Sequence, residues 1–142
     1  TLAGLDLNIS NNKASFPLGV VLLGANHAMI GNTSNAINTA PAFVGSVAGV
    51  WSSNANNAII VGNSFTANAA NPGATIIGMG IFPATNMLLR DNQLVAPIAV
   101  QLNNAVGIAA GSTGNVRNGG TCNIIGAGAT GQIVFTDGTT CP

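Results

Sequence analysis

Short apolar runs alternate with polar clusters along the whole chain. Runs of four to six residues rich in Val, Ile and Leu are separated by groups of Gly, Asn, Ser and Thr. This pattern is typical of short strands joined by tight turns. No stretch of 12 residues keeps apolar positions at helical spacing without an interrupting Gly, Pro or Asn. The sequence therefore predicts an all-β protein.

The apolar runs recur as a repeat, in which one short strand is followed by a turn and by a second strand that ends near an Asn. The copies are Gly19–Leu23 with Asn26–Asn32, Gly49–Ser53 with Asn57–Asn63, Gly80–Phe82 with Asn86–Asn92, and a weaker Ile98–Leu102 with Asn104–Ile108. An opening strand lies in Leu2–Asn11. The closing Asn residues, at positions 11, 32, 63 and 92, are 21, 31 and 29 residues apart. Such uneven intervals indicate coils whose loops differ in length.

A parallel β-solenoid explains this repeat. Stacked coils place their strands about 4.8 Å apart in parallel sheets with apolar side chains inside. At roughly 20 to 30 residues per coil, the chain makes about five or six coils. We predict that Asn32, Asn63 and Asn92 form a ladder of bonded amides at successive bends.

Three segments carry a resemblance to a known class of proteins. Leu2–Asn12, Asn57–Phe65 and Asn86–Leu94 resemble the coil repeats of right-handed parallel β-helix proteins of the pectin-lyase-like class. That class includes polysaccharide lyases, glycoside hydrolases and bacteriophage tailspikes. The resemblance implies a right-handed β-helix over residues 1–117. We expect residues 118–142 to close it with a β-hairpin, in which Gln132–Asp137 is one strand and whose ends a disulfide joins.

Charge is scarce in this chain of 142 residues. Only 4% of the residues are charged, and the formal net charge is zero. Three basic residues cannot neutralise a run of phosphates, so nucleic-acid binding is excluded. The apolar runs are too short for insertion into a membrane, which takes about 20 residues per helix. A surface so poor in charge favours self-association, and the resemblance to tailspikes favours a trimer over a filament.

Two cysteines, Cys122 and Cys141, lie near the C-terminus. Their spacing matches neither a metal site nor a redox motif, so we predict a disulfide, with two buried free thiols as the alternative. A disulfide would place the protein outside the reducing cytosol. We therefore expect an extracellular or virion-associated location.

Three carboxylates, Asp6, Asp91 and Asp137, are the candidates for hydrolytic chemistry. Glycoside hydrolysis uses two carboxyl groups about 5 to 9.5 Å apart, and these three lie far apart in sequence. Asp91 is the best catalytic candidate, although a solvated side chain at a bend is the favoured interpretation. We expect its neighbour Arg90 to point to the opposite face of the strand and not to pair with it. We predict no metal site and no cofactor, because the acidic residues do not cluster.

The single histidine and the glycosylation sequons have simpler interpretations. His27 is expected at a ladder position, with Asn57 following it in the next coil, rather than in a catalytic triad. The sequons at Asn8 and Asn32 match a frequency expected by chance in a chain with 20 Asn.

Aromatic side chains offer a possible sugar-binding surface. Trp51 is the best candidate because Ser52, Ser53 and Asn54 follow it with neutral hydrogen-bonding groups. Phe65 and Phe82 extend the candidate surface, and core packing is the alternative for all three rings.

Three functions are consistent with these patterns. The first is a structural and binding module of a phage tailspike-like fibre that recognises a cell-surface polysaccharide. The second is a polysaccharide hydrolase that uses Asp91 with a carboxylate from a neighbouring subunit. The third is a charge-poor extracellular filament subunit.

Overall fold

Nineteen strands, numbered β1 to β19 in chain order, are present in the described part of a computed structural model of the protein. The structure describes residues 2–5, 8–10, 13–15, 18–104, 106–126 and 129–141, with side chains from residue 19 onward. None of these residues is helical, so the all-β prediction is confirmed. Within the described ranges there is accordingly no helix of the length and hydrophobicity that a bilayer crossing requires.

Seventeen of the strands form three parallel sheets. Sheet A contains β1 (Leu2–Leu5), β4 (Leu18–Ala25), β7 (Ser46–Ser53), β10 (Thr75–Ile81), β13 (Ile98–Asn103) and β16 (Thr121–Ile125). Sheet B contains β2 (Asn8–Ser10), β5 (Ala28–Ile30), β8 (Ile59–Val61), β11 (Ala84–Arg90), β14 (Val106–Ile108) and β17 (Ala129–Thr130). Sheet C contains β3 (Lys13–Ser15), β6 (Thr33–Asn38), β9 (Ser64–Ala69), β12 (Gln93–Val95) and β15 (Val116–Arg117).

The order of the strands repeats along the chain. Each strand of sheet A is followed by one of sheet B and, up to β15, by one of sheet C, so that every third strand returns to the same sheet beside its predecessor. Sequence-equivalent residues are therefore brought into register. Ala28, Ile59 and Leu88 lie opposite one another in sheet B, as do Ile30 and Val61 in the same strands.

Apolar side chains from all three sheets form the core. In the strands of sheet B the middle residues, Met29, Ile60 and Leu89, are fully buried while their neighbours face outward. Such alternation is the expected result of a strand with one buried face. Larger side chains of sheets A and C complete the same cluster, among them Leu22, Met79, Phe65 and Leu94.

A row of glycines lets sheet C approach sheet A closely. Gly19, Gly49 and Gly78 occupy matching positions in three strands of sheet A. A Cβ atom at Gly49 would lie 2.7 Å from the Cβ of Phe65, and the hydroxyl of Ser34 donates to the Gly49 carbonyl oxygen at 2.8 Å. Any larger residue at Gly49 would push the sheets apart.

Four asparagines form a continuous buried ladder at the turn between sheets B and C. Asn32, Asn63, Asn92 and Asn115 are each at most 2% exposed. The Oδ1 atom of Asn63 accepts from the backbone N–H and the Nδ2 of Asn32, at 2.8 and 3.0 Å. The Oδ1 atoms of Asn92 and Asn115 accept in the same way from the preceding Asn, at 3.0 to 3.1 Å. The ladder thus satisfies backbone and amide groups that no water reaches.

The C-terminal end of the core is covered by an antiparallel pair, β18 (Ile133–Val134) with β19 (Thr140–Cys141). Ile133 and Cys141 are fully buried, and Phe135 is 2% exposed. The disulfide Cys122–Cys141 is confirmed, but it joins β19 to β16 and not the two ends of the hairpin. Parallel pairing continues past the predicted boundary at residue 117, since β16 and β17 pair with β13 and β14.

Candidate functional site

The outer face of sheet A carries an aromatic pair. The ring centroids of Trp51 and Phe82 are 4.2 Å apart, with an interplanar angle of 33°. Both side chains are half-buried, and neither belongs to the core clusters. Gly80 lies opposite Trp51 in the next strand, and a Cβ atom there would be 3.3 Å from Trp51 Cε3. The indole therefore lies close to Gly80 of β10 and leaves part of its surface to solvent.

Free amides lie beside this pair on the next two strands. Register places Gln101 opposite Gly80, and Asn123 opposite Gln101. Among the described residues, the side chains of Gln101, Asn103 and Asn123 have no hydrogen-bond partner. Gln101 is only 6% exposed, whereas Asn103 and Asn123 are half-buried and reach solvent. An aromatic surface with unbonded amides at its border is suited to a neutral polyhydroxylated ligand.

The residues predicted beside Trp51 are divided between two faces. Ser52 is fully buried opposite Leu22, and its hydroxyl has no partner among the described residues. Ser53 shares the outward face with Trp51, because residues two apart in a strand point the same way. Asn54 is exposed at the following turn, with a φ of 53°. Phe65 is fully buried in the core, away from this face.

Gln101 and Asn103 were missed by the sequence analysis. Nothing in their own sequence context marks them, because their position depends on the register of β13 against β10. Aligning the weaker repeat Ile98–Leu102 with Gly80–Phe82 would have found Gln101, since the two segments are neighbours in the same sheet.

Asp91, the catalytic candidate, lies in the exposed turn after β11. Its Oδ2 is 3.3 Å from Nε of Arg90, so the expectation that these two residues do not pair was wrong. The reason is that Asp91 has a φ of 55° and has left the strand, which removes the alternation of faces. Gly31, Gly62 and Gly114 occupy the same position before the other ladder asparagines.

Asp137 belongs to the C-terminal hairpin. Hydrogen bonds from the side chain and backbone of Thr139, followed by one from Arg117 at 3.0 Å, lower the pKa of Asp137 to about 2. A carboxyl whose pKa is lowered by folding stabilises the fold above its ordinary pKa, and that stabilisation is lost as the pH falls towards 2. The Arg117 guanidinium also lies 4.9 Å from the ring centroid of Phe135 and bonds the Gly120 carbonyl. Asp6 lies outside the described residues.

Other candidates resolve into structural positions. His27 is buried, with Nε2 2.9 Å from the Leu23 carbonyl oxygen, and the partner of Asn57 is Asn26 and not His27. Asn32 of the second sequon is buried in the ladder, while the side chain of Asn8 lies outside the described part. No group of three His, Cys, Asp or Glu side chains in the described ranges could hold a metal ion.

An open groove of about 320 Å³ lies at the corner that follows sheet C. It is lined by Ala67, Val95, Ala96, Pro97, Asn118 and Gly119. The lining is mostly apolar and carries no charged group, so the groove offers no chemistry of its own.

Comparison of the chain with protein-family models, with curated proteins and with solved structures found no match. The aromatic pair and its surroundings are therefore the basis on which a function is assigned.

Proposed function

We propose that the protein is a right-handed parallel β-helix of about six coils. The support is the cyclic order of the strands, in which sheets A, B and C are visited in turn and each return is parallel to its predecessor. Connections between parallel strands of one sheet are right-handed in nearly all proteins. The short segments between most successive strands support a path that turns around the core once for every three strands.

We further propose that this β-helix binds a neutral polysaccharide through Trp51 and Phe82. The observation that carries the proposal is the half-exposed aromatic pair on the outer face of sheet A. The apolar face of a sugar ring packs on such a surface and its hydroxyl groups need amide partners, which the half-buried Asn103 and Asn123 can supply.

A neutral rather than an acidic glycan fits the charges of the protein. An acidic chain is recognised by Arg or Lys, ideally through bidentate bonds. Arg90 and Arg117 are paired with Asp91 and Asp137 respectively, and none of the three basic residues, Lys13 included, lies in a strand of sheet A.

The setting we propose is extracellular or virion-associated, in a structural fibre of the tailspike kind. The disulfide supports an oxidising environment, and the charge-poor surface supports assembly with other chains. A hydrolase is a weaker candidate, because Asp91 is exposed, is paired with Arg90 and would have to find its second carboxylate on another subunit.

Trp51 is the only tryptophan, and the chain has no tyrosine, so intrinsic fluorescence reports on the proposed site directly. The purified protein is titrated with dextran, laminarin and galactomannan, and with polygalacturonate as the acidic comparison. Its migration in gels that contain each polysaccharide is measured in parallel. We expect at least one neutral polysaccharide to shift the Trp51 emission and to retard migration.

Two variants locate the site. Trp51→Ala should abolish the retardation and Phe82→Ala should weaken it at least tenfold, which corresponds to about 1.4 kcal/mol. Phe43→Ala, at another half-buried ring outside sheet A, is the control and should bind as the wild type does. Retardation by polygalacturonate alone, retardation that survives Trp51→Ala, or no retardation by any neutral polysaccharide would contradict the proposal.

A further inference from the structure

The outer face of sheet B is aliphatic. Its side chains stand in two columns, one formed by Ala28, Ile59 and Leu88 and the other by Ile30 and Val61. Ile30 is 44% exposed and Ile59 is 40% exposed, although both lie in the middle strands of the sheet. Branched aliphatic side chains that face water in neighbouring strands form one patch, which a second apolar surface can cover.

Sheet C shows that this patch is not a simple result of the low charge of the chain. The outward positions of its strands next to the same turn are Thr33, Asn35, Ser64, Thr66 and Gln93. Both sheets are parallel. Beside this turn the sequence therefore places polar groups on the outer face of sheet C and aliphatic groups on that of sheet B, and the exposed aliphatic residue of sheet C, Ile37, lies further along β6.

The charges at the border of the patch identify the kind of partner. Arg90 ends the column of Ile30 and Val61, and Asp91 follows it; their side chains are 50% and 57% exposed. The pair has no net charge, so it gives no attraction to a nucleic acid or to an anionic lipid surface. A second copy of the chain is complementary to it, because a two-fold axis beside this pair brings Arg90 of each copy to Asp91 of the other.

The C-terminal hairpin covers one end of the three sheets, so a second copy packs more easily against a sheet face than on that end. Ile133, Phe135 and Cys141 are part of the core, and the N–H groups of Val134 and Thr136 already donate to the carbonyls of Ser112 and Asn115. The disulfide fixes β19 to β16. Another copy added at this end would have to displace the hairpin, whereas the face of sheet B is open.

We infer that the outer face of sheet B packs against the same face of a second copy, with Ile30, Ile59 and Val61 buried between the two sheets. Sheets that pack face to face lie about 10 Å apart with their side chains interdigitated. The patch is small for a protein interface, so the dissociation constant should be about 10 to 100 µM. This contact leaves the aromatic pair on sheet A accessible.

Sedimentation equilibrium of the intact, oxidised protein tests the inference over about 5 to 500 µM. We expect a reversible equilibrium between one and two chains, which replaces the trimer that the resemblance to tailspikes favours. Ile59→Lys should raise the dissociation constant at least tenfold, and the milder Ile59→Thr should raise it by a smaller factor. The control is Ile37→Lys, because Ile37 is 47% exposed on the outer face of sheet C and should leave the equilibrium unchanged.

Far-UV circular dichroism and Trp51 emission show whether each variant is folded. A wild type that stays monomeric throughout would overturn the inference. So would a species of three chains or an open polymer, or an equal loss of association in Ile37→Lys and Ile59→Lys. Glycan retardation is measured on the same samples, so failure of the dimer is distinguished from failure of the binding site.

Discussion

Two rows of asparagine run along the molecule, one buried and one exposed. The buried row is the ladder of Asn32, Asn63, Asn92 and Asn115 between sheets B and C. The exposed row is formed by Asn26, Asn57 and Asn86 between sheets A and B, and each of these residues has a φ between 55° and 58°. The same residue type therefore recurs at two bends of the chain for different physical reasons.

Hydrogen bonding explains the buried row. In Asn63, Asn92 and Asn115, the amide oxygen accepts two bonds from the preceding Asn of the ladder, and the amide nitrogen also donates to a backbone carbonyl of a core strand. In the exposed row the amides also bond, at 3.0 to 3.1 Å, but water competes for the same groups. There the left-handed backbone is the requirement, and Asn tolerates it better than other residues with a Cβ.

The largest expected effect comes from breaking the buried row at Asn63. Asn63→Ala removes the acceptor of the Asn32 backbone N–H and the donor to the Met29 carbonyl, while the Asn32 amide keeps its bond to the Ile30 carbonyl. Buried polar groups without partners cost about 1 to 3 kcal/mol each, so we expect a loss of about 4 kcal/mol in the free energy of unfolding. Urea denaturation followed by Trp51 emission measures it.

Asn35→Ala is the matched control for that variant. Asn35 is a half-buried residue on the outward face of β6, and its side chain bonds no other described residue. Its substitution should change stability by less than about 0.5 kcal/mol. A loss below about 1 kcal/mol for Asn63→Ala would show that the ladder is not a major source of stability.

The sequence predicted three members of the buried row and missed the fourth. Asn32, Asn63 and Asn92 follow apolar runs of similar length, whereas Asn115 comes only 23 residues after Asn92. The Gly-Asn dipeptide shared by Gly31–Asn32, Gly62–Asn63 and Gly114–Asn115 was the available signal. This dipeptide marks the ladder because the glycine adopts the left-handed backbone conformation of the turn, after which the Asn side chain points into the interior.

Other features depend on register and on backbone angles, which periodicity alone does not determine. The all-β class and the disulfide were predictable because short apolar runs and paired cysteines are local signals. Ser52 and Trp51 point to opposite faces because successive residues alternate along β7. Gln101 lies near Trp51 because β13 pairs with β10. The ion pair of Arg90 with Asp91 depends on a single residue leaving the strand conformation.

A smaller effect is expected in the exposed row. Asn57→Ala places an alanine in the left-handed region, which Asn adopts more readily. The substitution should therefore lower the free energy of unfolding by about 1 kcal/mol. Asn57→Gly should lie within about 0.5 kcal/mol of the wild type, because glycine adopts this region freely. Thermal unfolding of the two variants shows whether the backbone conformation or the side-chain hydrogen bonds of Asn57 stabilise this bend. If glycine were as costly as alanine, the side-chain bonds to Asn26 and Asn86 would be the cause instead of the backbone.

The smallest effect is expected at Asp91, which precedes Asn92 where glycine precedes the other three ladder residues. Asp91→Gly relieves a left-handed non-glycine residue and loses an exposed ion pair with Arg90, which is worth about 0 to 1 kcal/mol. We expect a net gain of about 0.5 kcal/mol in urea denaturation, and a loss of about 1 kcal/mol for Asp91→Ala. If both variants destabilised equally, the carboxylate and not the backbone would be what this turn requires. The buried row would then depend on a charged residue beside one of its four asparagines. Hydrogen bonding would no longer be a sufficient explanation of the buried row, nor backbone conformation a sufficient explanation of left-handed residues at the bends.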